Sequence, residues 1–152
     1  MSAGVRTLVI FRSASFNTTE RKPYFINDCC FGDDVARWIA ARLRSLGFET
    51  YNEPGQEDFG WCIGFRTSDG PHMLVLGYRP EEPVGDWIGK VERDCGFFAA
   101  IFGGRDRKIS VSAVQAVHCA LSGRAEITAI TWHDRADFDK GNENGAASPE
   151  AG

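Results

Sequence analysis

The stretch WCIGFRTSDGPHMLVLGYRPEEPVGDWIGKVER, residues 61–93, contains three apolar runs separated by two sets of turn residues. In the first run, residues 61–67, large apolar side chains alternate with small or polar ones, which is the period of a strand with one buried face. The Asp69-Gly70 pair is a strong hairpin signal before a second run, residues 72–79, that is apolar at nearly every position. After a second turn, residues 86–93 form a third run. The stretch therefore predicts an antiparallel meander with its second strand inside.

Two helices are predicted outside the meander. Apolar side chains at helical spacing share one face in a segment that begins at residues 33–34 and ends at Gly47. Ser112 and Gln115 have the spacing of a capping box, which indicates a second helix that starts near Ser112 and closes at Gly123. Both segments are of ordinary length for helices of a globular domain.

Further strands are predicted from β-branched and aromatic content at residues 5–12, 48–51 and 126–132. The apolar run at residues 97–102 fits a strand and a helix equally, because period alone does not separate the two. The order of elements predicts an α+β fold. We expect a mostly antiparallel sheet of about five to six strands, with a central three-strand meander and two helices packed on one face.

Alternation in the first meander strand decides which face the helices cover. Trp61, Ile63 and Phe65 share one side of that strand, and we expect this aromatic side to face the helices. The opposite side of the sheet carries small and charged residues, among them Arg66, Lys90 and Glu92. That side is solvated, binds a ligand or pairs with a second subunit, and the sequence leaves these three alternatives open.

One domain is expected from the length of 152 residues. It is predicted to span residues 1–133. From Asp134 onward the chain carries five acids against Arg135 and Lys140, with many Gly, Asn and Ala residues. Such a composition offers little apolar area to offset the entropy of ordering, so residues 134–152 are predicted to form a disordered acidic tail.

Charge and cysteine content narrow the classes of function. The formal net charge is -4 and no basic cluster of the kind that binds nucleic acid is present, so nucleic acid is not an expected partner. The first apolar run is short and interrupted by Arg6, so neither a secretory leader nor a membrane anchor is expected. An odd count of five cysteines does not form a disulfide framework, which favours the cytoplasm.

A cysteine-dependent enzyme is one hypothesis for the chemistry. Cys30 precedes the first helix, where free backbone amides favour a thiolate, and His118 on the second helix is the candidate base. Asp34 is the candidate third member of this site. Against it, the acids around Cys30 raise a thiol pKa, and His118 lies among apolar residues at helical spacing.

No metal site and no cofactor are expected, because the familiar zinc-ligand spacings are absent from the sequence. His72 and His133 are predicted to lie on the surface. The string at residues 57–61 is interpreted as a loop in which Gly60 permits a tight entry into the strand. Residues 103–108 are interpreted as a solvated charged loop, although two glycines and three cations also suit an anion.

The leading functional hypothesis is a small protein-interaction module without catalytic activity, acting as a chaperone or an inhibitor. Its partner is another protein or a second copy of the chain, and the edge strand at residues 48–51 is one surface able to accept a partner strand. The enzyme hypothesis ranks second. A third hypothesis is a small ligand held between sheet and helices, lined by these aromatic side chains: Trp61, Phe65, Tyr78 and Trp87.

Overall fold

A computed structural model describes residues 5–20, 22–25, 31–57, 60–81, 84–93 and 109–150. The strands are β1 (Leu8–Arg12), β2 (Glu49–Glu57), β3 (Gly60–Thr67), β4 (Gly70–Arg79), β5 (Asp86–Arg93) and β6 (Thr128–His133). The helices are α1 (Asp33–Ser45), α2 (Val111–Ser122) and the short α3 (Arg135–Asp139).

The strands form one sheet in the order β2-β3-β4-β5-β1-β6, and every neighbouring pair is antiparallel. The meander predicted from residues 61–93 is β3-β4-β5, with β4 in the middle. Its register places Cys62 opposite Val75, and Val75 opposite Lys90. The α+β fold predicted from the sequence is confirmed.

Helices α1 and α2 cover one face of this sheet and bury its alternate side chains. Trp61, Ile63 and Phe65 belong to a hydrophobic core that also includes Ile39 of α1 and Val117 of α2. The prediction that the aromatic side of β3 faces the helices is therefore confirmed. Burying large apolar side chains contributes roughly 1.5–3 kcal/mol each relative to exposure, so this layer is the main source of stability.

The boundaries of α1 follow the predicted signals. Asp33 and Asp34 lie in its first turn and complement the positive end of the helix dipole. Gly47 adopts a φ of 96°, and the amide of Phe48 donates to the carbonyl of Leu43 at 2.9 Å. A glycine at this position reverses the chain at low conformational cost and directs it into β2.

The N-cap of α2 differs from the predicted one. Ser110 caps the helix, because its Oγ accepts a hydrogen bond from the amide of Ala113 at 3.1 Å. Ser112 instead donates to the carboxylate of Asp69 at 2.7 Å, in the turn between β3 and β4. The predicted cap was thus wrong by two residues, since both serines satisfy the local preference and only the tertiary contact separates them.

Strand β2 is longer than the predicted strand at residues 48–51. It continues to Glu57, and its pairing with β3 shifts register between Tyr51 and Gly55. The shift falls around Pro54, which has no amide to contribute to the ladder. The undecided apolar run at residues 97–102 lies outside the described residues.

Residues 134–150, called the C-terminal segment below, return across the sheet, whereas composition predicts a disordered tail. The amide and carbonyl of Trp132 bond the carbonyl and amide of Ala146 at 2.7 and 2.8 Å. The guanidinium of Arg6 donates to the carbonyl of Glu150 at 2.7 Å. These bonds join the segment to distant parts of the chain, so they could not be predicted from its own composition.

Candidate functional site

The sheet face that α1 and α2 leave uncovered, called the open face below, is set by strand alternation. Along β4, His72, Leu74 and Leu76 are buried toward the helices, while Met73 and Val75 are half-buried on the open face. These two apolar side chains lie on the side of the sheet away from α1 and α2. Apolar surface of this kind favours association with whatever can cover it.

A groove of about 590 Å³ lies on the open face. Its floor is one row of the sheet, Cys62, Val75 and Lys90, which the register aligns across β3, β4 and β5. Cys62, at one end of the row, has a small and half-buried side chain. The full lining is Cys62, Met73, Val75, Gly77, Tyr78, Ile88, Lys90, Glu92, Arg135 and Phe138.

One wall of the groove comes from α3 in the C-terminal segment. Arg135 donates from Nη1 to the Oε2 of Glu92 at 3.0 Å, which ties α3 to β5. The ring of Phe138 meets the ring of His133 edge-on, with centroids 5.6 Å apart. The helix is capped by Asp134, whose Oδ1 accepts from the amide of Asp137. Two contacts and a cap therefore hold a five-residue helix in place.

An ion-pair network lies on the same face beyond the groove floor. Asp86 is buried and accepts from Arg12 Nε at 2.8 Å and from Arg79 Nη2 at 2.7 Å. Burial alone raises the pKa of Asp86, but the two guanidinium hydrogen bonds outweigh it and hold the pKa below its usual value. Arg79 also donates to both carboxylate oxygens of Glu143, at 3.0 and 3.3 Å.

Lys90 differs from the other cations of this face. Its side chain is half-buried in the groove, and among the described residues it makes no ion pair and no side-chain hydrogen bond. Its neighbours in the row are Val75 on one side and Leu8 on the other. An ammonium group beside apolar side chains gains from a carboxylate partner, because water screens it less there than on an open surface.

Of the three predicted catalytic residues, Asp34 and His118 are described, and each has a partner within the fold. Cys30 lies outside the described residues. Asp34 accepts from the amide of Asn17 at 2.7 Å and ties the loop before α1 to that helix. His118 uses Nδ1 to accept from the indole of Trp132 at 3.0 Å, so this nitrogen already has a partner within the fold.

The four aromatic residues predicted to line a ligand crevice mostly form core. Phe65 and Trp87 have no exposed surface, and Trp61 is 5% exposed. The rings of Tyr78 and Trp87 pack against one another, with centroids 4.8 Å apart. Of the four, Tyr78 also lines the groove. Trp61, Phe65 and Trp87 belong to the hydrophobic core, and Tyr78 packs against it.

Both histidines expected on the surface are buried. His72 has no exposed surface, and its Nδ1 lies 3.1 Å from the carbonyl oxygen of Gly70. His133 is 3% exposed, because the C-terminal segment covers it. The prediction of surface positions was wrong. Both histidines lie near the end of a strand, where exposure is common, but Ser110 contacts His72 and Phe138 contacts His133 from distant parts of the chain.

Some of the groove residues were predicted from the sequence to lie on this face, and others were not. Lys90 and Glu92 were placed on this face by strand alternation alone. Val75 and Met73 follow from the same alternation in β4, but a run that is apolar throughout does not show which of its sides is covered. Phe138 was missed, since a single aromatic residue in an acidic, glycine-rich segment gives no local signal of packing.

Comparison with known proteins adds no relative: no protein-family model, no curated protein and no solved structure matches the chain. Within the described part of the chain, no three His, Cys, Asp or Glu side chains are grouped to hold a metal ion. No helix in that part is both long and apolar enough to span a bilayer.

Proposed function

We propose that this protein is a small binding module without catalytic activity, and that it receives a segment of another protein in the groove. The observation that carries the proposal is the groove itself, a concave volume of about 590 Å³ on the sheet face opposite α1 and α2. Its size lies in the usual range for binding pockets, about 300–1,000 Å³. Met73, Val75 and Ile88 give its lining apolar surface whose burial favours association.

The groove supports this role better than the edge strand β2 does. A partner strand needs a regular row of amides and carbonyls along the edge. In β2 the register shift between Tyr51 and Gly55 and the missing amide of Pro54 interrupt that row. Glu49 and Glu53 are exposed there, and charges of this kind commonly protect an edge from strand addition.

The proposal places the protein in the reducing cytoplasm, with its five cysteines as thiols. Cys119 is free and exposed, and Cys62 is half-buried at the groove. The partner is a different protein rather than a second copy. A homodimer through the open face is a distinct outcome of the experiment below.

Native mass spectrometry on protein purified gently from its own host tests the proposal. The variant Val75→Arg puts a long charged side chain on the groove floor, at a half-buried position of β4, and circular dichroism checks that the variant is folded. Ala41→Arg, on the exposed face of α1, is the matched control. We expect a stoichiometric partner chain with the wild type and with Ala41→Arg, and its loss with Val75→Arg.

Three results count against the proposal. A partner chain retained by Val75→Arg places the interface elsewhere. A homodimer lost in Val75→Arg assigns the groove to self-association. A monomer that carries a non-covalent small molecule or a metal ion returns the ligand-binding and enzyme hypotheses to first place.

A further inference from the structure

We infer that the partner segment is an acidic peptide, and that it competes with Glu143 of this chain for the cations of the open face. The inference rests on the proposed function, since it names the chemistry of the segment that the groove takes. Three independent features of the open face lead to it: its charge, the contact already made by Glu143, and the position of Lys90.

The four inner strands of the sheet carry a positive excess on the open face, within an acidic protein; on the edge strand β2, Glu49 lies on the same face opposite Arg66. The formal charge of the whole chain is -4. On β1, β3, β4 and β5, however, the open face carries four cations against two carboxylates, Asp86 and Glu92. The four cations are Arg12, Arg66, Arg79 and Lys90. Charge complementarity of this kind selects partners and speeds their association, so an acidic segment is favoured over a basic one.

The chain's own acidic segment already uses this complementarity. Glu143 reaches Arg79 with both carboxylate oxygens, at 3.0 and 3.3 Å. The Glu143 side chain is 48% exposed, so water screens this pair and it adds little stability. A carboxylate from another chain is able to replace Glu143 on Arg79 at a small net cost. Glu143 therefore occupies the position that a partner's acidic side chain would take.

Lys90 supplies a second cation at a defined distance from the first. Lys90 lies on β5 opposite Val75 of β4. Arg79 of β4 lies opposite Asp86, which is four residues before Lys90 on β5. At about 3.3–3.4 Å per strand residue, the two cations are anchored about 13 Å apart along the strands. An extended peptide with acids at positions i and i+4 matches that spacing. Its residue i+2 then faces Ile88 and Gly77, where an apolar side chain fits.

The probe is therefore the peptide acetyl-Ser-Asp-Ser-Leu-Ser-Asp-Ser-amide, titrated into the ¹⁵N-labelled full chain and followed by NMR. The same peptide with Asn at both Asp positions is the control ligand. Lys90→Gln removes one positive charge from the groove. Arg44→Gln removes one from the exposed, opposite side of the molecule and is the matched control. Glu143→Gln weakens the internal competitor.

We expect saturable shifts at β4 and β5 amides. Lys90→Gln should weaken binding at least about fivefold, while Arg44→Gln stays within about twofold of the wild type. Glu143→Gln should tighten binding at least about twofold, because Arg79 is then less occupied. The Asn peptide should bind at least about fivefold more weakly than the Asp peptide.

The acidic specificity, the competition with Glu143 and the proposed function each have a result that would overturn them. Equal affinity of Lys90→Gln and Arg44→Gln, or of the Asp and Asn peptides, overturns the acidic specificity. Unchanged affinity in Glu143→Gln overturns the competition. If Val75→Arg still releases the native partner while the Asp peptide does not bind, this inference fails and the proposed function stands. If Val75→Arg keeps the native partner, the proposed function itself fails.

Discussion

At the scale of single residues, His133 shows how a distant segment sets the chemistry of a side chain. It lies under Phe138, and its Nε2 is 2.9 Å from the Thr131 hydroxyl. Burial lowers the pKa of His133 below its usual value near 6.5, an effect that the nearby Glu143 partly opposes. The folded protein therefore prefers the neutral imidazole.

This preference predicts a pH dependence of stability. In the window between the lowered pKa and about 6.5, the unfolded chain binds a proton at His133 that the folded chain does not. The free energy of unfolding should fall as the pH drops through this window, as measured by urea denaturation between pH 7.5 and 5. His133→Gln should flatten the curve. Thr131→Val, which keeps the histidine, should retain it, and a flat wild-type curve would contradict the assignment.

Gly60 is a second residue whose identity is fixed by its surroundings. Its φ is 151°, and a β-carbon built there would lie 2.0 Å from the carbonyl oxygen of Leu76. We expect Gly60→Ala to lower the free energy of unfolding by at least about 2 kcal/mol, in the range of strained backbone sites. Gly55, with nothing within 4 Å, is the matched control. A change in Gly60→Ala no larger than that in Gly55→Ala would rule out the steric argument.

At the scale of elements, the start of α2 depends on one serine for its cap and on another for its anchor to the sheet. Removing the Ser110 hydroxyl leaves the Ala113 amide without its side-chain acceptor. Ser110→Ala should cost about 1 kcal/mol of stability, measured by chemical denaturation, because N-cap truncations typically cost 0.5–2 kcal/mol. Ser122→Ala, at the exposed last turn, should change stability by less than about 0.5 kcal/mol. Similar values for the two variants would mean that the cap contributes nothing.

The elements also show which features can be predicted from the sequence and which cannot. The meander was predictable because strand alternation and the Asp69-Gly70 turn are local signals with a fixed period. The cap of α2 was not, since the choice between Ser110 and Ser112 depends on Asp69, more than forty residues away. The groove wall at Phe138 was missed for the same reason, because its packing partner is a strand and not a neighbour in sequence.

At the scale of the whole molecule, charge is divided between two parts that contact one another. The C-terminal segment carries five acids against Arg135 and Lys140, and the four inner strands carry more cations than carboxylates on the open face. Their contacts include Glu143 on Arg79, but also Arg135 on Glu92, where the signs are reversed. The reversed pair adds a contact of opposite polarity to the backbone bonds that place the segment beside β6.

This arrangement predicts that the C-terminal segment stabilises the fold, in contrast to the disorder that its composition suggests. A chain ending at His133 loses the paired backbone bonds between Trp132 and Ala146, and the bonds from Arg6 to the segment. We expect it to lose on the order of 2 kcal/mol of stability, since each net hydrogen bond contributes about 1 kcal/mol and the exposed pairs little. Hydrogen exchange at the Trp132 amide should accelerate most. A chain ending at Glu150 keeps all of these contacts and is the control. If the chain ending at His133 unfolds at the same urea concentration as this control, with the Trp132 amide equally protected, the segment does not hold the edge of β6, and the prediction from composition is the correct one.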